Sequence, residues 1–118
     1  SDVISFHNYH PLEGMKKDVE TLKRYRRPIL CTEYMARGNG SRFDPILAYL
    51  KSEGVGAYNW GFVDGKSQTI YPWDSWQHRY PDKPPLWFHD IFHTDGKPYD
   101  AAEVAYIRSV TGAKKKAD

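Results

Sequence analysis

The sequence holds a single cysteine, Cys31, which excludes an internal disulfide framework and any multi-cysteine metal centre. No apolar run approaches the ~20 residues that span a bilayer, so a membrane-crossing helix is excluded. There is no excess of one charge. Seventeen basic against fifteen acidic residues leave a formal +2, and Lys114, Lys115 and Lys116 near the end carry three of those positive charges. A basic face for nucleic acid is therefore not expected. None of the nine glycines falls in a dinucleotide-binding fingerprint; Gly38-Asn39-Gly40 lacks the remaining pattern. The chain opens Ser1-Asp2 and passes directly into an expected strand, so it reads as a piece of something longer.

What is abundant is aromatic. Nine tyrosines, four tryptophans and five phenylalanines stand among 118 residues, and all four tryptophans fall between residues 58 and 93. Around them runs a strand–helix rhythm. Val3 to Phe6, running on to Tyr9, is rich in β-branched and aromatic residues and predicts a strand. Met15, Val19 and Leu22 then recur at helical spacing within Glu13–Tyr25, with Glu20 set to pair with Arg24. Pro28–Tyr34 predicts a second strand covered on both faces. Arg37–Ser41 reads as a flexible loop, and a helix begins at Asp44-Pro45 with Ile46, Leu47 and Leu50 inward and Gly54 as its stop. Val55–Phe62 predicts a third strand, followed by a long connection from Val63 to about His89. Asp100 and Glu103 form a capping box for a last helix with Val104, Ile107 and Val110 inward and Gly112 at its end; a frayed tail is expected over 113–118.

Alternating β and α elements predict an α/β fold with parallel strands. Polar and aromatic residues gather at the C-terminal ends of all three strands: His7 and Tyr9, then Glu33, then Asn59 and Trp60. A (β/α)8 barrel places its chemistry at that end, and a whole barrel takes about 250 residues, so three βα units of an incomplete TIM barrel are expected here. Simple alternation puts Ile29, Cys31 and Glu33 on one face, Val3, Ser5, His7 and Tyr9 on another strand's matching face, and Gly56, Tyr58 and Trp60 on a third.

The stretches Phe6-His7-Asn8-Tyr9-His10-Pro11, Pro28-Ile29-Leu30-Cys31-Thr32-Glu33-Tyr34 and Gly56-Ala57-Tyr58-Asn59-Trp60-Gly61 resemble strands six, seven and eight of the retaining (β/α)8 glycosidases. That clan includes cellulases, xylanases, β-mannanases and β-galactosidases. The resemblance covers essentially the whole chain and implies that residues 1–118 are the C-terminal portion of one catalytic domain. It implies Glu33 as the nucleophile of a double-displacement mechanism, which needs a second carboxylate about 5–5.5 Å away. It further implies Tyr9 bonding the nucleophile, His7 lining the sugar subsite, and Trp60 beneath the sugar with Asn59 beside it. A flat indole suits the apolar C–H face of a pyranose.

Each role has a structural alternative: an ion pair with Arg37 for Glu33, core packing for His7, Tyr9 and Trp60. The loop Trp73-Asp74-Ser75-Trp76 has two readings, a second sugar platform with Asp74 or Gln77 bonding hydroxyls, or a mini-core of its own. His7/His10 and His89/His93 lack a third ligand, so no metal or cofactor is expected. Cys31 reads as a small buried residue. The clan's acid/base glutamate follows an asparagine, whereas Asn8, Asn39 and Asn59 precede Tyr9, Gly40 and Trp60. Asp64 sits in what reads as a turn. The expected parent therefore hydrolyses β-linked polysaccharide with a glutamate from the missing N-terminal part of the barrel. The isolated chain is expected to be inactive and to self-associate. The rival expectation is a non-catalytic carbohydrate-binding module built on an aromatic platform.

Overall fold

A computed structural model of the chain describes residues 1–113. Strand β1 covers Ile4–His7, β2 Ile29–Tyr34 and β3 Gly56–Asn59; they form one parallel sheet in the order β1-β2-β3. Helix α1, Leu12–Lys23, links the first pair, and α2, Phe43–Ser52, links the second. Helix α3, Ala101–Thr111, follows a long irregular segment. The α/β class and parallel order are as expected.

The core lies on one face of the sheet. Met15 and Val19 of α1, Phe43, Ile46 and Leu50 of α2, and Val104 of α3 are buried against Ile29, Cys31 and Tyr34. Phe6 and Ala57 pack on the same cluster. Each large aliphatic side chain so buried contributes roughly 1.5–3 kcal/mol. The opposite face carries Ser5, His7 and Tyr58, all exposed, with Leu30 half-buried between the outer strands. Among the described residues, β2 is thus covered on one face rather than two.

The simple alternation expected for β2 fails, and the reason is a bulge. Phe6 pairs with Cys31, but the next residue, His7, pairs with Glu33; on the other side Cys31 pairs with Ala57, and Tyr34 with Asn59. The extra residue shifts the pleat by one. Ile29, Cys31 and Tyr34 therefore all enter the helix-side core, while Glu33 joins His7 on the open face.

Several local expectations change in detail. The Glu20–Arg24 pair is replaced: Lys23 pairs with Glu53, and the Arg24 guanidinium stands 5.4 Å from the Tyr25 ring, because Arg24 is already the residue that ends α1. Asp44 has non-helical dihedrals inside the assigned span of α2, so the regular helix opens at Pro45. Gly54 ends it in the left-handed region. Arg37–Ser41 is not a flexible loop. Arg37–Asn39 is a single 3-10 turn with Arg37 and Ser41 buried, closed by the Ala36–Ser41 bridge. Asp100 caps α3 by accepting from the N–H groups of Ala102 and Glu103, but the Glu103 carboxylate turns to Arg37. Of the expected frayed tail, residues 114–118 lie outside the described residues.

Candidate functional site

Three segments converge where the strands end. Beyond β1 the chain reaches Tyr9, whose hydroxyl donates to Glu33 Oε2 at 2.6 Å. His7 Nε2 stands 3.4 Å from the other carboxylate oxygen, Oε1. Glu33 is thus hydrogen-bonded at one oxygen with His7 standing near the other, and its side chain remains 25% exposed and that of His7 56%. Asn8 steadies the approach from beneath: its N–H donates to the Glu33 carbonyl and its Nδ2 to Asp18 Oδ2 at 2.6 Å. Burial pushes the Tyr9 hydroxyl well above the ordinary tyrosine range, and its bond to Glu33 adds to the shift. Tyr9 therefore stays a donor. Burial also pushes the Cys31 thiol up, to about 11, which suits a packed and unreactive group.

The chain after Glu33 is unusually constrained. Met35 is buried at φ +79, a conformation that a non-glycine side chain enters only when its surroundings enforce it. Its N–H donates to Ser41 Oγ at 3.1 Å, and its carbonyl lies 2.7 Å from His89 Nδ1. A carbonyl can only accept, so Nδ1 carries the proton and Nε2 presents a lone pair. Burial lowers the His89 pKa, which favours the neutral ring. His89 packs against Tyr9, with ring centres 5.8 Å apart. Sequence reasoning considered His89 only as a metal ligand with His93 and missed this role; a lone histidine 56 residues beyond Glu33 carries no local signal of it.

Trp73 belongs to the same cluster. Its ring meets Tyr9 edge-on at 5.3 Å and lies 5.5 Å from Phe88. Trp60 extends β3, its N–H donating to the Tyr34 carbonyl, and stays 45% exposed. By the strand register it falls on the open face with Tyr58, one strand from Glu33. Behind it Gly61 turns the chain at φ +88; a Cβ there would lie 2.7 Å from His89 Cβ.

The remaining candidates do not join this group. Asn59 folds its Nδ2 back onto the Gly61 carbonyl at 2.5 Å. Asp74 accepts from the Tyr80 hydroxyl at 2.7 Å within its own loop. Trp76, two residues further, is 93% exposed and contributes to no mini-core. The Arg37 alternative for Glu33 is not formed: Arg37 binds Glu103, through Nε at 3.0 Å and Nη2 at 2.5 Å, and the carbonyls of Trp87 and Asp90. Asp64 is buried and paired with Lys83. The arrangement at Glu33 is a carboxylate oriented by Tyr9, partly open to solvent and flanked by aromatic rings. Such a group can act as a nucleophile or accept ligand hydroxyls. No family model, no curated protein and no solved structure matches this chain.

Proposed function

We propose that this chain is the nucleophile-bearing portion of a retaining glycosidase acting on β-linked polysaccharide. It would supply strands six to eight of a (β/α)8 barrel, with the remaining strands covering the open face of the sheet. The reading rests above all on the Tyr9–Glu33 hydrogen bond. A nucleophilic carboxylate needs one oxygen free to attack and the other held by a donor that does not itself give up its proton, and Tyr9 fits that requirement. The placement of His7, Glu33 and Trp60 at the ends of successive parallel strands supports it.

In this reading the Glu33 carboxylate attacks the anomeric carbon and forms a glycosyl ester while the leaving oxygen takes a proton from the acid/base glutamate outside this chain. Water then attacks the anomeric carbon, that same glutamate takes the water's proton, and the bond from that carbon to Glu33 breaks, freeing the carboxylate. Trp60 holds the sugar ring's C–H face. The chain alone would bind glycan without turning it over. The rival, a non-catalytic binding module, draws support from the exposure of Trp60 and Trp76.

The test is covalent trapping in the parent enzyme with a 2-fluoro glycoside carrying an activated leaving group. The expected result is one added fluoroglycosyl unit on the peptide containing Glu33, absent in Glu33→Gln. Label on another residue, or none while hydrolysis proceeds, would overturn the assignment. Among the described residues the sheet face is open and the outer edges of β1 and β3 are unpaired, and such edges are pairing templates. The isolated chain is therefore expected to elute above 13.7 kDa in size exclusion with light scattering; a clean monomer would contradict this.

A further inference from the structure

A second cleft lies away from Glu33, between the Gly65–Tyr71 turn and the turn at Trp73–Trp76. It has a volume of about 490 Å³ and is lined by Gln68, Tyr71, Trp76, His78, Arg79 and Tyr80, with serines between them. That volume falls in the ~300–1,000 Å³ range of small-molecule sites. Neither Glu33, Tyr9 nor Trp60 contributes to it.

Two of the cleft's rings, Tyr71 and Tyr80, are half-buried and pack against each other, while Trp76 stands exposed. The Tyr71 and Tyr80 rings lie 5.9 Å apart, and the bond from the Tyr80 hydroxyl to Asp74 fixes that wall. Gln68 takes φ +57 so that its N–H reaches the Gly65 carbonyl while its own carbonyl accepts from Tyr71. Strain of this kind costs roughly 1–3 kcal/mol. Trp76, at 93% exposure, buries almost none of its ring, so it adds next to nothing to stability. Arg79 forms no ion pair among the described residues, and Asp74 in the same loop is already engaged by Tyr80.

We propose that this cleft is a second glycan-binding site selective for a sugar unit that bears a carboxylate. The Trp76 indole takes the ring's C–H face, and the Arg79 guanidinium takes the carboxylate through paired N–H donors, a geometry lysine does not reproduce. The hydroxyls and amide of the cleft meet the sugar's rim. The proposal rests on the carbohydrate reading above and adds to it an acidic, uronate-bearing substrate class.

The experiment uses the immobilised parent protein and two soluble probes of equal length, a neutral β-1,4-linked xylo-oligosaccharide and the same oligosaccharide with one glucuronate branch. Biolayer interferometry gives the affinities. The branched probe is expected to bind about tenfold more tightly. Arg79→Gln should bring the two probes level, and Trp76→Ala should remove the branched probe's advantage while the circular dichroism spectrum is unchanged. Glu33→Gln should leave the preference intact. Equal binding of the two probes, no binding of the branched one, or a preference that survives Arg79→Gln would overturn the proposal. Failure of the reading at Glu33 shows separately, as neutral-probe binding that ignores Trp60→Ala.

Discussion

Two carboxylates near the end of β2 meet strong partners, and they are used in opposite ways. Glu103 grips Arg37, whose side chain is 1% exposed. The guanidinium is also bonded to the carbonyls of Trp87 and Asp90 and lies 4.6 Å from the Tyr99 ring. Every direction around it is occupied, and the pair ties β2, the long aromatic segment and α3 together. Glu33, four residues before Arg37, is held by Tyr9, has His7 near its other oxygen, and is left partly open. The first network is closed and fastens the fold. The second is oriented but unfinished, which is the condition for meeting a ligand. Burial and completeness, rather than residue type, separate the two.

Replacing one member of each network sharpens the contrast. If the glycosidase proposal holds, Glu33→Gln in the parent protein should lower kcat by four or more orders of magnitude, as loss of a nucleophile does elsewhere, while Tm moves by a degree or two. Steady-state kinetics with aryl β-glycosides and a melting curve read both. Arg37→Met should do the reverse in kind. It strands the buried Glu103 carboxylate and should cost about 3–5 kcal/mol in urea unfolding, with Arg37→Lys recovering little because the paired geometry is lost. Unchanged stability in Arg37→Met would dissolve the distinction. Tyr9→Phe removes one bond to a charged group, about 1.5–3 kcal/mol, and should reduce kcat/KM roughly 10- to 100-fold without altering the fold. Trp60→Ala should weaken glycan binding by ~1–3 kcal/mol, measured by titration calorimetry. The smallest effect concerns Cys31. With its thiol raised to about 11, iodoacetamide at pH 8.5 should label the folded chain far more slowly than the chain in guanidinium. Equal rates would mean the core around it opens freely.

The parts of this architecture that were legible in sequence are those that local chemistry decides. Asp100 caps α3 because a short carboxylate at a helix start has few better partners. Met15, Val19, Ile46 and Leu50 face inward because helical spacing leaves them no choice. The grouping of Tyr9, His7 and Glu33 came from their shared position at strand ends and from family resemblance. What failed was decided at a distance. Glu103 was expected to complete a capping box, but an arginine 66 residues earlier offers a stronger partner. Gly38 and Gly40 suggested flexibility around Arg37. Yet a Cβ at Gly38 would lie 2.2 Å from Phe88 Cε1, so Gly38 is there to let the aromatic segment close on the turn. Cys31 was assigned to the same face as Glu33 because nothing in Thr32 announces an extra residue. His89 and Met35 were invisible for the same reason: their pairing joins positions 54 residues apart.

The bulge in β2 also bears on how this segment can change. Upstream of it, odd-numbered positions belong to the core; downstream, parity is reversed and Tyr34 takes the inward slot. Forcing β2 into regular pairing with Thr32 kept in the pleat would send Glu33 into the layer of Met15 and Ile46 and Tyr34 out of it, whereas deleting Thr32 removes the surplus residue and leaves both on their present faces. That inversion is intolerable, so single-residue insertions between Cys31 and Tyr34 should be purged, while loss of Thr32 should be accepted. The reading frame of the pleat, set by one surplus residue, is what keeps a charged side chain at the surface of an otherwise apolar strand.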